Sequence, residues 1–148
     1  MGMILSKSDH SRYRKIFFTK VTHTPYQVEL VVSSFDDKKS SGDFSLDNFV
    51  GDSKRIVEHT YTFRALYEKE ISDRTREKYG LPKEVNGVVY LSPLQLVPKF
   101  GTYQLNWNRV KVHFEGRTQV INKIVYLEQL YGSCVGVQIF VQDELKGG

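Results

Sequence analysis

The sequence is poor in cysteine, in proline and in long apolar runs, and each shortage excludes a class of protein. One cysteine among 148 residues cannot form an intrachain disulfide, and a lone thiol is more typical of a reducing compartment than of secretion. With 4 prolines and 11 glycines, the chain is neither collagen-like nor a low-complexity linker. No apolar run has the roughly 18 residues of a membrane-spanning helix, and residues 1–20 lack the apolar stretch of a signal peptide. We therefore expect neither a signal peptide nor a membrane partner.

What the sequence does contain favours one β-rich globular domain. A length of 148 residues fits a single domain with a sizeable core. Hydrophobic residues make up 40% of the chain and charged residues 26%, so disorder is not expected. The 9 Phe and 9 Tyr, together with frequent Val and Ile, are typical of strands, where such side chains pack on a pleated surface.

The net charge of +4 is concentrated near the start of the chain. One acidic residue stands there against five basic residues, which are Lys7, Arg12, Arg14, Lys15 and Lys20, and the rest of the chain is balanced. The sequence therefore predicts a basic N-terminal arm over residues 1–13, followed by a single domain over residues 14–148. Such an arm would dock on an acidic partner, touch DNA or remain solvated, and the sequence leaves these alternatives open.

The first half of the domain is predicted to contain three strands and one helix. Residues 14–22 and 27–33 are rich in β-branched and aromatic residues around a proline-containing turn, which predicts a hairpin or two adjacent strands. Residues 55–63 alternate as a third strand. Residues 65–79 have the composition and apolar spacing of a helix, and Gly80 supplies its end.

The second half is predicted to be almost entirely strand. Its predicted strands cover residues 87–91, 109–114, 117–126 and 135–141, with a strand-like, proline-punctuated stretch up to Phe100. Glu115 and Gly116 supply a tight turn that makes 109–126 the clearest hairpin. Alternation predicts one inner face, formed by Val110, Val112, Phe114, Val135, Val137, Ile139 and Val141. The predicted fold is mainly β, a small β-barrel of about six to seven strands with one short α-helix inserted.

A long polar segment, residues 34–54, separates the second predicted strand from the third. It exceeds the roughly four to six residues of an ordinary connection, and long connections are usually functional or disordered. We therefore expect either a mobile solvated loop or a functional one. Its candidate functional side chains are the charged ones, which are Asp36, Asp37, Lys38, Lys39, Asp43, Asp47, Asp52 and Lys54.

Patterns for catalysis or cofactor binding are weak. The histidines lie one per segment without metal-ligand spacing, so no metal site is predicted. Cys134 occupies the nucleophile position of an elbow-like Gly-x-Cys-x-Gly sequence, but no histidine follows it to act as the base. We interpret Cys134 as a small buried hydrophobe. Without a glycine-rich phosphate loop either, the sequence predicts no cofactor and no enzymatic activity, and a small enzyme is the weakest alternative.

The second half also carries an ordered set of motifs. A strand runs into a short helix, then come the strand GVVYLSP at residues 87–93, a hairpin V-x-V-x-F-x-G-R-x-x-x-I at residues 110–121, and a final strand. In this succession residues 57–145 resemble the head-closure, or stopper, proteins of long-tailed bacteriophages, which are small β-barrel connectors between the portal side of the capsid and the tail. The chain departs from the plainest members in its basic arm, its length and its segment 94–108.

The resemblance implies a virion protein that forms a ring of many copies around a channel for genomic double-stranded DNA. One face of the ring would bind the portal or adaptor protein, and the other a tail-completion or tail-tube protein. Residues 34–54 would line or gate the channel or contact a neighbouring subunit, and their mixed charge would let DNA pass, since a purely cationic lining would hold phosphates. The basic arm would dock on a neighbouring subunit or on the adaptor.

Two alternatives to head closure stay open. A tail-completion or tail-terminator protein of the same neck would share much of this pattern. A protein of another class, an OB-like single-stranded nucleic-acid binder, would stack bases on the aromatic residues that alternate with basic ones in residues 12–18 and 103–109. Aromatic residues in strands are more often part of the core, which favours the first class.

Overall fold

The computed structural model describes residues 5–36 and 55–144, and these form a mainly β structure with one curled seven-stranded sheet, half of a barrel. The strands are β1 (Gln27–Asp36), β2 (Arg55–Arg64), β3 (Leu66–Glu68), β4 (Val85–Leu91), β5 (Val110–Phe114), β6 (Arg117–Leu127) and β7 (Gly136–Asp143). The α-helices of the described residues are α1 (Lys7–Thr22), α2 (Asp73–Tyr79) and α3 (Pro93–Phe100), and a short 3₁₀ helix covers Trp107–Arg109. The predicted fold class is confirmed, with more helix than expected.

The sheet curls because one stretch of chain supplies both of its edges. The strand order is β2-β1-β5-β6-β7-β4-β3, and every neighbouring pair is antiparallel. β2 and β3 lie at opposite ends of that order, yet only Ala65 separates them in the chain. The buried Ala65 donates its N–H to the carbonyl of Tyr26 (3.1 Å), and its carbonyl accepts from the hydroxyl of Thr24 (2.6 Å). The two edges therefore meet at a corner that is fixed by hydrogen bonds.

The inner face of the curled sheet holds the main core. Its members include all but one of the predicted inner-face residues, namely Val110, Val112, Phe114, Val137, Ile139 and Val141. The exception, Val135, precedes β7 and is half-buried beside α1. Leu96 of α3 is buried in the same cluster, and Phe100 packs on it, so α3 covers the interior. The period-2 prediction for β5 and β7 is confirmed.

The outer face of the sheet is covered over β4 and β7. Beside α2, Phe140 and Val88 form a second buried cluster with Leu81. Beside α1, the ring of Phe17 meets Tyr90 with ring centroids 6.4 Å apart. β4 and β7 are therefore buried on both faces, and apolar residues occupy consecutive positions in them instead of every second one.

The prediction of a strand over residues 14–22 is wrong, because these residues belong to α1. The helix begins after Ser6, whose hydroxyl accepts from the N–H of Asp9 (3.1 Å), as in a standard N-cap. Its buried and half-buried inner side is formed at helical spacing by His10, Arg14, Phe17 and Val21. Two of these four are polar, so the apolar periodicity of a helix is hidden. The boundary expected between the basic arm and the domain falls inside α1, and residues 7–13 form its first turns.

Two further predictions of secondary structure need correction, one of a helix and one of a strand. The helix expected over residues 65–79 is α2, which ends at Gly80 as predicted but starts only after the N-cap Ser72. The residues before it form β3, because Leu66 and Tyr67 pair with β4. The proline-punctuated stretch up to Phe100 is not strand but α3. There Ser92 and Gln95 form a capping box, and a proline at the first position favours the helix.

Candidate interaction surfaces

Helix α1 is held against the body by contacts near both of its ends. His10 is buried and donates from Nε2 to the carbonyl of Glu128 (2.6 Å), while its ring meets Tyr131 edge-on. Further along, the ring of Phe17 lies over Gly136. A Cβ added at Gly136 would approach that ring to 2.5 Å, so glycine is what allows the helix to come this close to β7.

An open apolar groove of about 400 Å³ runs beside α1. It is lined by Leu5, Tyr13, Ile16, Phe17, Lys20, Glu128 and Val135. Tyr13 and Ile16 are 43% and 45% exposed, although both are large and apolar. Lone exposed apolar residues are ordinary, but adjacent ones lining a groove are typical of a binding surface. We call this feature the α1 groove.

The five predicted docking cations lie on α1 instead of on an extended arm. Lys7, Arg12, Lys15 and Lys20 are exposed, and Arg14 is half-buried. The Nε atom of Arg14 is buried without a hydrogen-bond partner among the described residues. Lys20 lines the α1 groove. The cations surround the helix, so α1 is positive on every exposed side, without a row of charges along one face.

The free edge of β2 is the second surface. β2 pairs with β1 over ten residues, from Gln27 opposite Arg64 to Asp36 opposite Arg55, and no described strand pairs with its other side. β5 pairs with β1 only between Glu29 and Val32. Residues 33–36 and 55–58 therefore continue beyond the sheet as a two-stranded ribbon, which we call the β1–β2 ribbon. Near its far end, one residue from Arg55, Ile56 is 65% exposed.

The predicted loop candidates fall mostly outside the described residues. Asp37, Lys38, Lys39, Asp43, Asp47, Asp52 and Lys54 lie outside the described residues. Asp36 is the last residue of β1 and sits opposite Arg55 at the end of the ribbon. Residues 37–54 therefore connect two strands whose ends are adjacent, and the predicted loop 34–54 is shortened because its first three residues belong to β1.

A polar cluster closes the end of the sheet where β4, β6 and β7 meet. The buried Gln119 accepts from the hydroxyl of Tyr67 (2.9 Å) and donates to Asp143 (3.3 Å). Asp143 also accepts from Asn86 (3.1 Å) and pairs with Arg117 (3.4 Å). Burial raises the pKa of Tyr67, and the hydrogen bond to Gln119 offsets part of that rise. The buried Tyr67 and Gln119 thus satisfy each other's polar groups, whereas the exposed Arg117 and Asp143 line an open concavity of about 500 Å³.

Cys134 is buried immediately before β7, as the sequence predicts. Burial raises the pKa of its thiol from 9.0 to about 12, and the charge of Arg14 lowers it only in part. A thiol of this kind is protonated at neutral pH, whereas a catalytic cysteine reacts as the thiolate. The structure therefore agrees with the interpretation of Cys134 as a small buried hydrophobe.

The histidines of the described residues have separate local roles. His23 donates to the carbonyl of Thr19 (2.8 Å), and His113 lies 3.1 Å from the hydroxyl of Thr118. Across residues 5–36 and 55–144, no group of three or more histidine, cysteine or carboxylate side chains could hold a metal ion. In the same part of the chain, no helix is long and apolar enough to cross a membrane.

The aromatic residues proposed for base stacking are divided between core and surface. Tyr103 is buried against Tyr126, and the indole N–H of Trp107 donates to the hydroxyl of Tyr126 (2.8 Å). These rings belong to the core. On α1, Tyr13 remains exposed and Phe17 is packed. The two predicted stretches therefore do not form one stacking surface.

Neither the α1 groove nor the β1–β2 ribbon is predicted from the sequence. The α1 groove was missed because residues 14–22 read as a strand, although Ser6, three residues before Asp9, is a helix-start signal. The ribbon was missed because the strand predicted over residues 27–33 stops three residues before the end of β1 at Asp36. No protein-family model matches the chain, and no curated protein matches it either.

Proposed function

We propose that this protein is a non-enzymatic structural component of the neck of a long-tailed phage, active as a ring of many copies in the head-closure position. The observation that carries the proposal is the free edge of β2 with its ribbon. The proposal also rests on the motif order in residues 57–145, which resembles the stopper proteins.

A ten-residue free edge is unusual in a protein that acts alone. Natural monomers protect edges with short strands, charged side chains, proline, bulges or a covering loop, because exposed N–H and C=O groups invite pairing with another chain. β2 is long, contains no proline and has no bulge in its register with β1, and charged residues occupy only three of its ten positions. The ribbon also lacks a third strand, and a two-stranded hairpin is only marginally stable without a third strand or a packed partner. A second copy of the chain would complete both features.

The two edges of the sheet are unequal, and this favours a ring over a twofold pair of sheets. β2 offers ten residues, whereas β3 at the other edge has three. An edge of one copy that docks on a different surface of the next copy makes a heterologous contact, and such contacts close into rings. In the ring, one face binds the portal or adaptor protein and the other a tail-completion or tail-tube protein, while genomic DNA passes through the channel of the virion.

The α1 surface favours a second candidate, the single-stranded nucleic-acid binder. Tyr13 is exposed between Arg12 and Lys15, which are also exposed, and an aromatic ring among cations suits base stacking. This candidate works as a monomer, and its affinity falls steeply with salt. A tail-completion or tail-terminator protein, by contrast, would form a ring as a head-closure protein does, and would differ only in the proteins that bind the two faces of the ring.

The test is to block the free edge without breaking the fold. Consecutive residues of β2 point their N–H groups alternately toward β1 and toward the free edge, so His59→Pro and Thr60→Pro form a matched pair. Proline removes an N–H and adds a bulky ring. The variant whose lost N–H pointed outward keeps the fold and the other loses it, which thermal melting identifies.

Native mass spectrometry and electron microscopy then give the outcome. We expect closed rings from the unmodified chain and at least tenfold weaker association of the folded proline variant. A chain that stays monomeric, or stops at a dimer, contradicts the proposal. Tight, salt-sensitive oligonucleotide binding by a monomer would establish the second candidate. Co-purification with portal or adaptor on one side and tail protein on the other distinguishes head closure from the tail-side roles.

A further inference from the structure

We propose that the α1 groove of one copy receives residues 42–52 of the neighbouring copy. The inference rests on the proposed function, because it assumes that copies of the chain assemble. It assigns a partner to the largest exposed apolar feature of α1 and a docking site to the segment that joins β1 to β2.

The groove needs an apolar occupant. Tyr13 and Ile16 keep over two-fifths of their surface exposed, although the neighbouring side of the helix is packed against the body. Val135 and Phe17 complete an apolar floor. A volume of about 400 Å³ holds a few large side chains, which is the scale of an anchor motif from a peptide and not of an extended protein face.

The helix beside the groove favours negative charge. Four of the five basic residues of α1 are exposed on its surface, and one of them, Lys20, lines the groove together with Glu128, which follows β6. Asp9 is the only acidic residue in α1. An acidic peptide is therefore attracted to this helix, and a basic one is repelled.

Residues 42–52, with the sequence GDFSLDNFVGD, combine both properties. They contain three aspartates and no basic residue, although lysines stand on either side of the segment. Large apolar residues occur among the aspartates at Phe44, Leu46 and Phe49. This acidic and aromatic composition is the complement of an apolar groove beside a cationic helix.

The position of the segment favours docking on another copy. Residues 37–54 connect Asp36 to Arg55, which face each other at the far end of the ribbon, so residues 42–52 belong to the connection that leaves the ribbon at this end. Each copy carries one groove and one such segment. Because the groove and the segment are different surfaces, docking in one direction from copy to copy makes a heterologous contact, as a ring requires.

The first experiment compares substitutions on two helices. Ile16→Glu places a negative charge in the groove at a position that is 45% exposed, and Val97→Glu makes a similar change on α3 at a position that is 43% exposed. A third variant, Phe44→Ser with Phe49→Ser, removes the aromatic anchors of the segment. We expect sedimentation to show at least tenfold weaker association for Ile16→Glu and for the segment variant, with Val97→Glu unchanged.

Mixing the two weakened variants tests whether docking occurs between copies. Each variant lacks one half of the contact and keeps the other half, so a mixture restores one intact contact per pair of chains. We expect heterodimers in the mixture and monomers in each variant alone. Absence of heterodimers, with both variants monomeric, would mean that the segment docks within its own chain and would overturn the inference.

A peptide assay separates this inference from the proposed function. The probe is a fluorescent peptide of residues 41–54, titrated onto the Phe44→Ser, Phe49→Ser variant, whose groove has no competing segment. Saturable binding that weakens at least tenfold with Ile16→Glu, and several-fold when the three aspartates become asparagine, supports the inference even if the chain forms no ring. Rings that persist in Ile16→Glu, together with a peptide that does not bind, overturn the inference and leave the proposed function standing.

Discussion

β7 and β2 are strands of similar length in one sheet, but only β7 is completed by its own chain. β7 lies between β6 and β4, and residues 136–141 are all buried, with α1 and α2 over its outer face. β2 lies at the edge, and most of its described side chains are exposed. The difference shows in composition as well, since β7 is uncharged until Asp143 whereas β2 carries Arg55, Glu58 and Arg64.

The comparison separates what folds the chain from what remains for a partner. Burial on both faces makes β4 and β7 the main source of stability, because stabilisation scales with the apolar area removed from water. The outer face of β1 and β2 is covered by no described helix, so substitutions there act on association more than on folding. Four predictions test this division.

The largest effect is expected from an aspartate in β7. Val137 is buried in the main core, so Val137→Asp buries a carboxylate without a partner, which costs several kcal/mol against a typical total stability of about 5–15 kcal/mol. We expect loss of the folded state by circular dichroism. Thr60→Asp on β2, at an exposed position, is the control and should cost about 1 kcal/mol or less. A soluble Val137→Asp protein with a cooperative melt would show that the assignment of the strand face is wrong.

A methyl group at Gly87 should give the next largest loss. Its Cβ would lie 2.5 Å from the hydroxyl of Tyr67, which is held by Gln119 and by stacking on Phe114. Overpacking at a site that cannot move costs about 1–3 kcal/mol, so Gly87→Ala should lower the urea midpoint clearly.

Gly136→Ala is the matched comparison for Gly87→Ala. Here the obstructing group is the ring of Phe17, which is half-buried on α1 and can shift. We expect a smaller loss of stability together with weaker binding of the peptide of residues 41–54, because the ring lines the groove. Equal losses in the two variants would indicate that Phe17 is as firmly held as Tyr67.

Alkaline pH should reveal the burial of Cys134. The unfolded thiol ionises near its ordinary pKa of 9.0, whereas the folded thiol keeps its proton up to about 12. Unfolding therefore releases a proton between these values, so this contribution is constant below pH 9 and is lost as pH rises toward 12, by at most about 1.4 kcal/mol per pH unit.

Cys134→Ala is the control for this titration. The pKa values of Tyr67, Tyr90 and Tyr126 are also raised by burial, so both proteins lose stability above pH 10. Only the cysteine protein should show the additional slope in chemical denaturation. Identical slopes between pH 9 and 10 would contradict burial of the thiol.

The smallest effect on folding is expected at Ile56. This side chain is 65% exposed on the outer face of the ribbon, and surface substitutions usually change stability by less than about 0.5 kcal/mol. Ile56→Lys should leave the melting temperature unchanged and weaken self-association, measured by sedimentation equilibrium. A large drop in melting temperature would show that the ribbon belongs to the folding unit and not to an interface.

Predictions from sequence succeeded where neighbouring residues contain the whole signal. The β5–β6 hairpin forms around Glu115 and Gly116, both with positive φ (50° and 77°), as expected of a tight turn. α2 ends at Gly80, which adopts the left-handed conformation as predicted. In each case the turn or cap chemistry is local and does not depend on distant contacts.

Predictions failed where a partner distant in sequence decides the structure. Residues 14–22 have β-branched and aromatic composition, but His10 is held by Glu128 and Phe17 by Gly136, so packing overrides local preference and yields a helix. α3 is a different case, because its capping box and the proline at its first position are local helix signals, and together they outweigh Pro98. The five candidate docking cations lie on α1, and their placement on a helix was not predicted.

The sequence by itself determined that the domain is mainly β, which residues of β5 and β7 face the core, and that Cys134 is buried, because period-2 alternation and apolar composition are properties of short segments. Tertiary structure decided the corner at Ala65, the free edge of β2 and the α1 groove. Each of these depends on where two segments far apart in the chain meet. An edge exists only because no other strand reaches it, and a groove exists only between surfaces that folding has brought together.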